Sequence, residues 1–438
     1  MSDHNHEREP FIGSRRQFLK VGAGTALGIG LASTGIPIFS GFSRAGASAL
    51  SPAAGSASVL TTSANAPSNP EDRVLVVLQL GGGNDGLNTV IPYKDPLYAQ
   101  LRPTIAQKAS DVLPISDSLA LHPGLKPLLD IFNSGKLAVV EGVEYPNPNY
   151  SHFRSTEIWM TGDDQNVGSL GWLGHSLDHL SNHPALVAAS LGVTVPRALV
   201  GMQPTDIALG GSLKDFVYKP IGKIDPGAVS AIFDYMNTST PTSDVYAKTI
   251  TQSHAIAMDA MSGIAKVAAS YTPAVKYPMS QLGAGLQTVA QMINGGIGSR
   301  VLYLATGGFD THSNELDSHN RLMGYLGDAL GAFWEDINAH GQADRVALMT
   351  FSEFGRRPAE NASRGTDHGS AAPLFVMGGS VKGGIYGNTP NLADLDNNNL
   401  RVQQDFRTVY ASMLQNWLGM NPADILPGGP YTPLPLFN

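Results

Sequence analysis

Two stretches of this sequence each run from an apolar strand directly into side chains that commonly bind metal ions. They are VLYLATGGFDTH, residues 301–312, and VALMTFSEFG, residues 346–355. Residues 315–340 between them show helical periodicity, which predicts a βαβ unit with two parallel strands. Ligands of open α/β sheets lie beyond the carboxyl ends of such strands. Asp310, His312 and Glu353 are therefore predicted to share one metal site.

A third group of such side chains, Asp367 and His368, stands just before the apolar run at residues 373–377. The chain has no cysteine, so oxygen and nitrogen atoms must supply all the ligands of a metal ion. That ligand set favours zinc, calcium, magnesium or manganese. We expect one or two such ions, with Asp367 and His368 as further ligands.

The other periodic segments predict a large α/β domain at residues 73–438. Short, continuously apolar runs at 74–80 and 136–143 are typical of strands buried on both faces of a parallel sheet. Residues 163–295 are rich in turns and then helical near 244–270 and 280–294. We interpret this region as an insertion or cap on the sheet.

The amino terminus has the features of a twin-arginine export signal. Arg15 and Arg16 precede Phe18, Leu19 and a Gly/Ala-rich apolar run, and small residues at 45–47 offer a cleavage site. A surface arginine pair before an amphipathic helix is the alternative, and a membrane anchor is disfavoured because glycines dilute the apolar run.

The predicted organisation is thus a signal at 1–47, a flexible linker at 48–72 and the α/β domain. We expect the twin-arginine translocase as a partner during export, a periplasmic or extracellular location, and no stable membrane span after processing. Removing five basic and three acidic residues with the signal changes the net charge from −8 to −8 − (5 − 3) = −10. Such an acidic protein is a poor partner for nucleic acid.

The first strand ends in Gly81-Gly82-Gly83-Asn84-Asp85-Gly86. This sequence matches G-x-G-x-x-G, but no helical stripe follows, which argues against dinucleotide binding. We interpret it as a tight turn that brings the Asp85 carboxylate to a metal and Asn84 to the substrate. A turn without function is the alternative.

The segment Ser151-His152-Phe153-Arg154 leads from a loop into a predicted helix. It supplies a hydroxyl nucleophile, a histidine beside it and a guanidinium for an anionic substrate at a helix amino terminus. The alternative is a capping role for Ser151 with Arg154 on the helix surface. His122, just before another helix, is a candidate phosphate contact or a structural residue.

Six motifs in this chain resemble the exported proteins of the domain-of-unknown-function 1501 family, over most of residues 73–420. They are GGGNDGLNTVIPY, SHFRSTEIWMTG, GGFDTHSNE, FSEFGRR, GTDHGSAAPLFVMGG and DFRTVYASMLQNWLG. That family resembles the alkaline phosphatase and sulfatase superfamily. The resemblance implies a three-layer α/β/α fold, one or two divalent metals at the carboxyl edge of the sheet, and a nucleophile at the start of a helix.

Carried onto this chain, the resemblance implies a role for each matching residue. Asp85 would be the first-strand metal ligand, Ser151 the nucleophile, Arg154 the anion contact, Asp310, His312 and His368 the ligands of one metal, and Glu353 a ligand of the second. Two features differ from the superfamily pattern. The spacing of Asp310 and His312 is shorter than usual, and Phe354 stands where a second-metal histidine is expected.

The expected function is that of an exported metal-dependent hydrolase of phosphate or sulfate esters, with Ser151 as nucleophile and an anionic small molecule or glycan ester as substrate. The alternative is a non-catalytic cell-envelope protein that binds an anionic glycan or a partner through the same metal-containing fold. The chain has no G-x-S-x-G motif, which disfavours an α/β-hydrolase esterase.

Overall fold

The computed structural model describes residues 69–180, 186–192, 194–202, 206–209, 213 and 261–438. The strands are β1 (Val74–Leu80), β2 (Val90–Ile91), β3 (Leu113–Pro114), β4 (Ala120–Leu121), β5 (Leu137–Glu144), β6 (Ala188–Leu191), β7 (Asp206–Ala208), β8 (Val301–Thr306), β9 (Val346–Phe351), β10 (Gly355–Glu360), β11 (Thr366–Gly369), β12 (Ala372–Gly378), β13 (Gly384–Tyr386) and β14 (Gln404–Asp405). The α-helices are α1 (Gly86–Thr89), α2 (Pro96–Leu101), α3 (Lys126–Asn133), α4 (His152–Thr161), α5 (Trp172–Asp178), α6 (Gln281–Asn294), α7 (Glu315–Ala339) and α8 (Phe406–Ser412).

Nine of the described strands form one central sheet in the order β13-β5-β12-β9-β1-β8-β6-β7, with β14 pairing with β5. β1 lies in the middle and pairs in parallel with both β8 and β9. All seven residues of β1 are buried, which explains why its sequence is apolar without alternation. Only β12 runs antiparallel to its neighbours among these strands. The predicted mostly parallel sheet is confirmed.

Helices cover both faces of this sheet. Val74, Val76 and Leu78 of β1 belong to the hydrophobic core on the side of α3, α6 and α7. Leu75 and Val77 belong to the opposite core, with α4, α5 and α8. Because successive strand residues point to opposite faces, one apolar strand supplies both cores. The three-layer α/β/α architecture is confirmed.

Two smaller sheets stand beside the central one. The strands β2, β4 and β3 form an antiparallel sheet, and β10 pairs with β11 as an antiparallel hairpin. In this hairpin Arg356 lies opposite His368, so both side chains stand on the same face. The sequence pattern did not predict this hairpin, which carries the two candidate metal ligands Asp367 and His368.

The region expected to form an insertion or cap, residues 163–295, contributes to the central sheet itself. β6 and β7 continue the parallel sheet beyond β8, and α6 packs into the core below it. These strands are only four and three residues long, too short to give a periodic signal. Part of the region lies outside the described residues. This part includes the portion of the predicted helix near 244–270 that precedes residue 261.

The fold includes residues that precede Arg73. Asn69 caps a 3₁₀ helix at Pro70–Asp72, and Arg300 donates to the carbonyl of Pro70. The last four residues of the expected linker therefore belong to the fold. The predicted signal and the rest of the linker lie outside the described residues. In the part of the chain that the structure describes, no helix has the length and apolarity needed to cross a membrane.

Candidate metal centre

Asp310 lies at the carboxyl edge of the sheet, in the loop that follows β8. The turn after β1 passes directly beside it. Gly82 has φ 122°, and a Cβ atom there would lie 2.5 Å from the Asp310 nitrogen. Glycine at position 82 therefore permits this close approach, as the tight-turn interpretation predicted. The Asp310 side chain is 47% exposed, so its carboxylate is open to solvent.

Three histidines direct their Nε2 atoms toward the Asp310 carboxylate. Nε2 of His312 is 3.0 Å from Oδ1, Nε2 of His368 is 3.2 Å from Oδ1, and Nε2 of His152 is 3.4 Å from Oδ2. The Nε2 atoms of His312 and His368 are 2.9 Å apart. We call Asp310 and these three residues the histidine cluster. It joins the loop after β8, the hairpin strand β11 and the first residue of α4.

The second ring nitrogen of each histidine faces an oxygen atom. Nδ1 of His152 is 2.8 Å from Glu353 Oε1, and Nδ1 of His368 is 2.9 Å from the carbonyl oxygen of Tyr150. Nδ1 of His312 lies 3.7 Å from Asp367 Oδ1, beyond hydrogen-bond distance. Donation from Nδ1 to a carboxylate or carbonyl orients the ring and leaves the Nε2 lone pair free. Histidines that ligate metals are usually held in this way.

The spacing of the ligand atoms around Asp310 fits a divalent ion. Tetrahedral ligands about 2.0–2.1 Å from a zinc ion are ~3.3 Å from one another. The histidine Nε2 atoms lie 3.0 to 3.4 Å from the Asp310 oxygens, and those of His312 and His368 are 2.9 Å apart. Among the described residues, His152, Asp310 and His368 have ligand atoms that all lie within 4.8 Å of one another. His312 is as close to Asp310 as His368 is, but it stands outside this group of three.

Glu353 stands behind His152 as its hydrogen-bond acceptor. The residue is 2% exposed, and its Oε1 also accepts from the backbone N–H of Gly82 at 2.8 Å. This placement differs from the expected role as a direct ligand of a second metal. The next residue, Phe354, is fully buried and packs against the rings of His152 and His368. An apolar wall therefore occupies the position where a second-metal histidine was expected.

The cluster favours ionised Asp310 and neutral His368. Burial opposes the charge on Asp310, but the hydrogen bond and the positive charge of Arg356 lower its pKa to about 2. Burial lowers the pKa of His368, although its bonds to Asp310 and Tyr150 act in the opposite sense. A carboxylate and a neutral imidazole are the protonation states in which these groups bind metals.

Ser151 is the exposed N-cap residue of α4. Its hydroxyl makes no capping hydrogen bond, and its backbone carbonyl receives the N–H of Ser155. The structure therefore places Ser151 at the N-cap, as the capping alternative expected, but without the side-chain hydrogen bond of a cap. The neighbours of Ser151 on both sides touch the histidine cluster, Tyr150 through its carbonyl and His152 through its ring. Ser151 therefore lies between two residues that contact the cluster, at the start of a helix whose first N–H groups have no acceptor within the helix.

Asp85 does not join the histidine cluster. It is completely buried, and both carboxylate oxygens accept from the Arg102 guanidinium, at 2.5 and 2.8 Å. Burial opposes its ionisation, but Arg102 and a hydrogen bond from Glu315 hold the pKa of Asp85 well below its ordinary value. The prediction that Asp85 is a metal ligand is wrong for this structure, because its side chain turns into the protein after the glycine turn.

The two residues predicted to contact substrate are also interior. Asn84 is 1% exposed, and its side-chain amide exchanges hydrogen bonds with Thr89. His122 is 2% exposed, accepts from Gly124 N–H through Nδ1 and bonds Asn320 through Nε2. The hydrogen-bonding groups of both side chains have partners inside the fold. His122 therefore has the structural role that was its alternative, and Asn84 is structural too rather than a substrate contact.

Arg154 and Asp367 lie near the cluster without the contacts that were expected of them. The Arg154 guanidinium bonds Glu157 and the carbonyl oxygens of Asp164 and Asn166. Its donors are thus used within the helix and the following loop. Asp367 is 54% exposed and accepts from Asn361, and it stands too far from His312 for a hydrogen bond.

Sequence reasoning missed Arg356, which touches Asp310 more closely than any histidine does. Its Nη2 is 2.6 Å from Asp310 Oδ1, and its side chain is completely buried. The residue follows the strand-end acid Glu353 by three positions, which is the one signal that pointed to it.

A family model matches part of this chain. The model described as "Protein of unknown function (DUF1501)" covers residues 228–420. This range includes Asp310, His312, Glu353 and His368, whereas Ser151 and Asp85 precede it. The predicted resemblance to this family is confirmed. No curated protein matches the chain in sequence.

Several solved structures share a similar arrangement at low sequence identity. The PsFucS1 sulfatase from Pseudoalteromonas sp. is 12% identical, with a TM-score of 0.36 over 80% of this chain and 68% of that one. The lipoteichoic acid synthase LtaP from Listeria monocytogenes is 9% identical, with a TM-score of 0.32 over 81% and 74%. The alkaline phosphatase from the Antarctic bacterium TAB5 is 10% identical, with a TM-score of 0.27 over 72% and 94%.

Proposed function

We propose that this protein is a metal-dependent hydrolase of phosphate or sulfate esters that uses Ser151 as its nucleophile. The observation that carries the proposal is the convergence of three Nε2 atoms on the Asp310 carboxylate, each with its Nδ1 facing an oxygen. Imidazole nitrogens with one carboxylate form the ligand set that zinc takes in proteins. Zinc is therefore the metal that we expect first.

The histidine cluster would hold the ion, and the chain itself would position the substrate. A divalent ion bound there would polarise an ester oxygen and favour the ionised form of the Ser151 hydroxyl. The free N–H groups at the start of α4 face an anion with the positive end of the helix dipole. They support binding of the non-bridging oxygens of a phosphate or sulfate group. Arg154 is not expected to take this role, because its guanidinium bonds Glu157.

The reaction would proceed through an ester at Ser151. The Ser151 oxygen attacks the phosphorus or sulfur atom, and the alcohol departs as the old ester bond breaks. Water then hydrolyses the enzyme ester and restores the hydroxyl. Glu353 and the Tyr150 carbonyl hold His152 and His368 in place throughout, because both Nδ1–H groups donate to them.

Ser151→Ala tests the catalytic role. We expect turnover of aryl phosphate or aryl sulfate to fall on the order of a thousandfold or more, with metal content and melting temperature unchanged. Ser280→Ala is the matched control, because Ser280 does cap its helix by accepting from Gly283 N–H. That control should cost about 1 kcal/mol of stability and spare turnover. Full turnover in the Ser151 variant would remove this residue from the mechanism.

The alternative function is a non-catalytic cell-envelope protein that binds an anionic glycan or a partner. The same assay distinguishes the two functions when it is run with and without added zinc, manganese, calcium and magnesium. A protein that binds metal stoichiometrically and turns over neither ester class would support the alternative. Metal-dependent turnover would support the hydrolase.

Export to the periplasm or beyond is a separate part of the proposal. It rests on the Arg15-Arg16 signal in the sequence. Replacing both arginines by lysine should strand the precursor in the cytoplasm, as seen by fractionation. A double variant that is still processed and found outside the inner membrane would show that the signal was misread.

A further inference from the structure

We infer that the guanidinium of Arg356 takes the place of a second metal ion, so that the histidine cluster holds one divalent ion. The inference rests on the proposed metal-dependent function and specifies its metal centre. It also assigns Arg356 as a positioning residue, since it fixes the carboxylate of Asp310 and is itself shielded from substrate.

The surroundings of Arg356 have the character of a cation site. Nε donates to the carbonyl oxygen of Gly83 at 2.7 Å, and Nη1 donates to that of Thr366 at 2.8 Å. Nη2 donates to the carbonyls of Gly82 and Phe309 and to Asp310 Oδ1. Five oxygen atoms, one of them charged, thus point at one buried positive group. Oxygen-only shells of this kind otherwise hold hard cations such as calcium or magnesium.

The Arg356 guanidinium binds the carboxylate of Asp310 directly. Nη2 stands 2.6 Å from Oδ1, the same oxygen that faces His312 and His368. The side chain is 0% exposed, and five acceptors satisfy its donors. A second ion would have to displace it and leave a charge buried without a partner, at high cost.

The other acid that a second ion would need is also paired with arginine. Asp85, the acid after the first strand, binds Arg102 through both oxygens. Phe354 fills the position of the expected second histidine, and Glu353 is engaged by His152 and Gly82. The side chains expected to bind a second metal are therefore not free to do so. Phe354 is apolar, and the carboxylates of Asp85 and Glu353 already accept hydrogen bonds inside the protein.

Metal stoichiometry tests the inference directly. The purified full chain would be stripped with chelator, titrated with zinc in the presence of a competing indicator, and analysed for bound metal after desalting. We expect one ion per chain and its loss in Asp310→Asn. Two tightly bound ions per wild-type chain would overturn the inference and leave the proposed function standing. No bound ion, with wild-type folding intact, would overturn both.

Variants of the arginine test its positioning role. Arg356→Lys keeps the positive charge but cannot hold five acceptors in one plane. We expect it to bind one zinc ion with roughly 10- to 100-fold lower affinity. Arg357→Gln is the matched control, because this neighbour in β10 makes no hydrogen bond to Asp310 in the described structure; it should keep wild-type affinity. Unchanged zinc affinity in a folded Arg356→Lys would exclude the positioning role. If Arg356→Lys does not fold, the wild-type stoichiometry still decides the inference.

Discussion

Two polar clusters in this protein contain the same kinds of side chain and differ in how they are surrounded. The histidine cluster joins Asp310 to three imidazoles and to Arg356, and it opens to solvent. A second group, which we call the buried cluster, consists of Asp85, Arg102, Glu315 and His319, and all four residues are completely buried. The two are linked by Thr366, whose hydroxyl donates to Glu315 while its carbonyl accepts from Arg356.

The surroundings decide which cluster is suited to bind a metal. In the buried cluster, burial and the charge of Asp85 raise the pKa of Glu315 to about 9, so that it is protonated at neutral pH. A neutral Glu315, an ionised Asp85 and Arg102 then form an electrically neutral unit inside the protein. In the histidine cluster, the pKa of Asp310 is lowered to about 2, and the side chains of Asp310 and the three histidines are 21% to 47% exposed. Whether an acid or histidine at a strand end can bind a metal thus depends on whether it is exposed or is buried and paired.

The largest effect is expected from removing the charge of Asp310. Asp310→Asn should abolish stoichiometric metal binding and reduce turnover on the order of a thousandfold or more, because the carboxylate is the one oxygen ligand of the cluster. The fold should persist, since this side chain is half exposed. Elemental analysis, turnover and circular dichroism of the purified variant would measure the three effects. Metal retained at wild-type level would contradict this assignment.

Removing the corresponding charge in the buried cluster should act on stability instead. Asp85→Asn leaves the buried Arg102 guanidinium without its partner, which should cost about 3–5 kcal/mol of unfolding free energy. The folded fraction should still bind its metal ion. Urea unfolding and metal content at low temperature would test this contrast. Loss of metal with little loss of stability would restore Asp85 as a ligand.

The pH dependence of stability offers a third test. Burial and the charge of Asp85 raise the folded-state pKa of Glu315 from its ordinary value of 4.5 to about 9, so its stabilising contribution is complete at acid pH and is lost as the pH rises between these values. Glu315→Gln keeps a neutral side chain and removes this loss. We expect the advantage of the variant over wild type to grow by roughly 4 kcal/mol as the pH rises from 6 to 9. A difference in unfolding free energy that does not change with pH would show that Glu315 ionises normally.

The smallest effect is expected at Arg154. Its guanidinium bonds Glu157 and two carbonyl oxygens, so Arg154→Ala should change turnover less than about threefold and stability by about 1 kcal/mol or less. Steady-state kinetics with the same aryl ester would measure this. A hundredfold rise in KM would instead support the anion-binding role that the sequence suggested.

Much of the histidine cluster could be predicted from the sequence. Asp310, His312 and Glu353 follow parallel strands, and the carboxyl ends of such strands meet at one edge of the sheet. His368 and His152 were identified from motif position. Asp85 was predicted by the same reasoning and failed, because the glycine turn after β1 has positive φ values that direct the next side chains inward. The course of a tight turn is not encoded in a strand pattern.

The sequence by itself determined the parallel strands at the centre of the sheet and the helix between two of them, because continuous apolar runs and helical periodicity act locally and repeat over many residues. It also determined which edge of the sheet collects acids and imidazoles. Only the tertiary structure decided which of them face solvent and which are paired inside. Arg102 and Asp85 are 17 residues apart in sequence, and Arg356 and Asp310 are 46 apart. Residues so far apart in the sequence are brought together by the packing of whole helices and strands. The degree of burial then decides whether a charged side chain can bind a ligand or forms an internal ion pair.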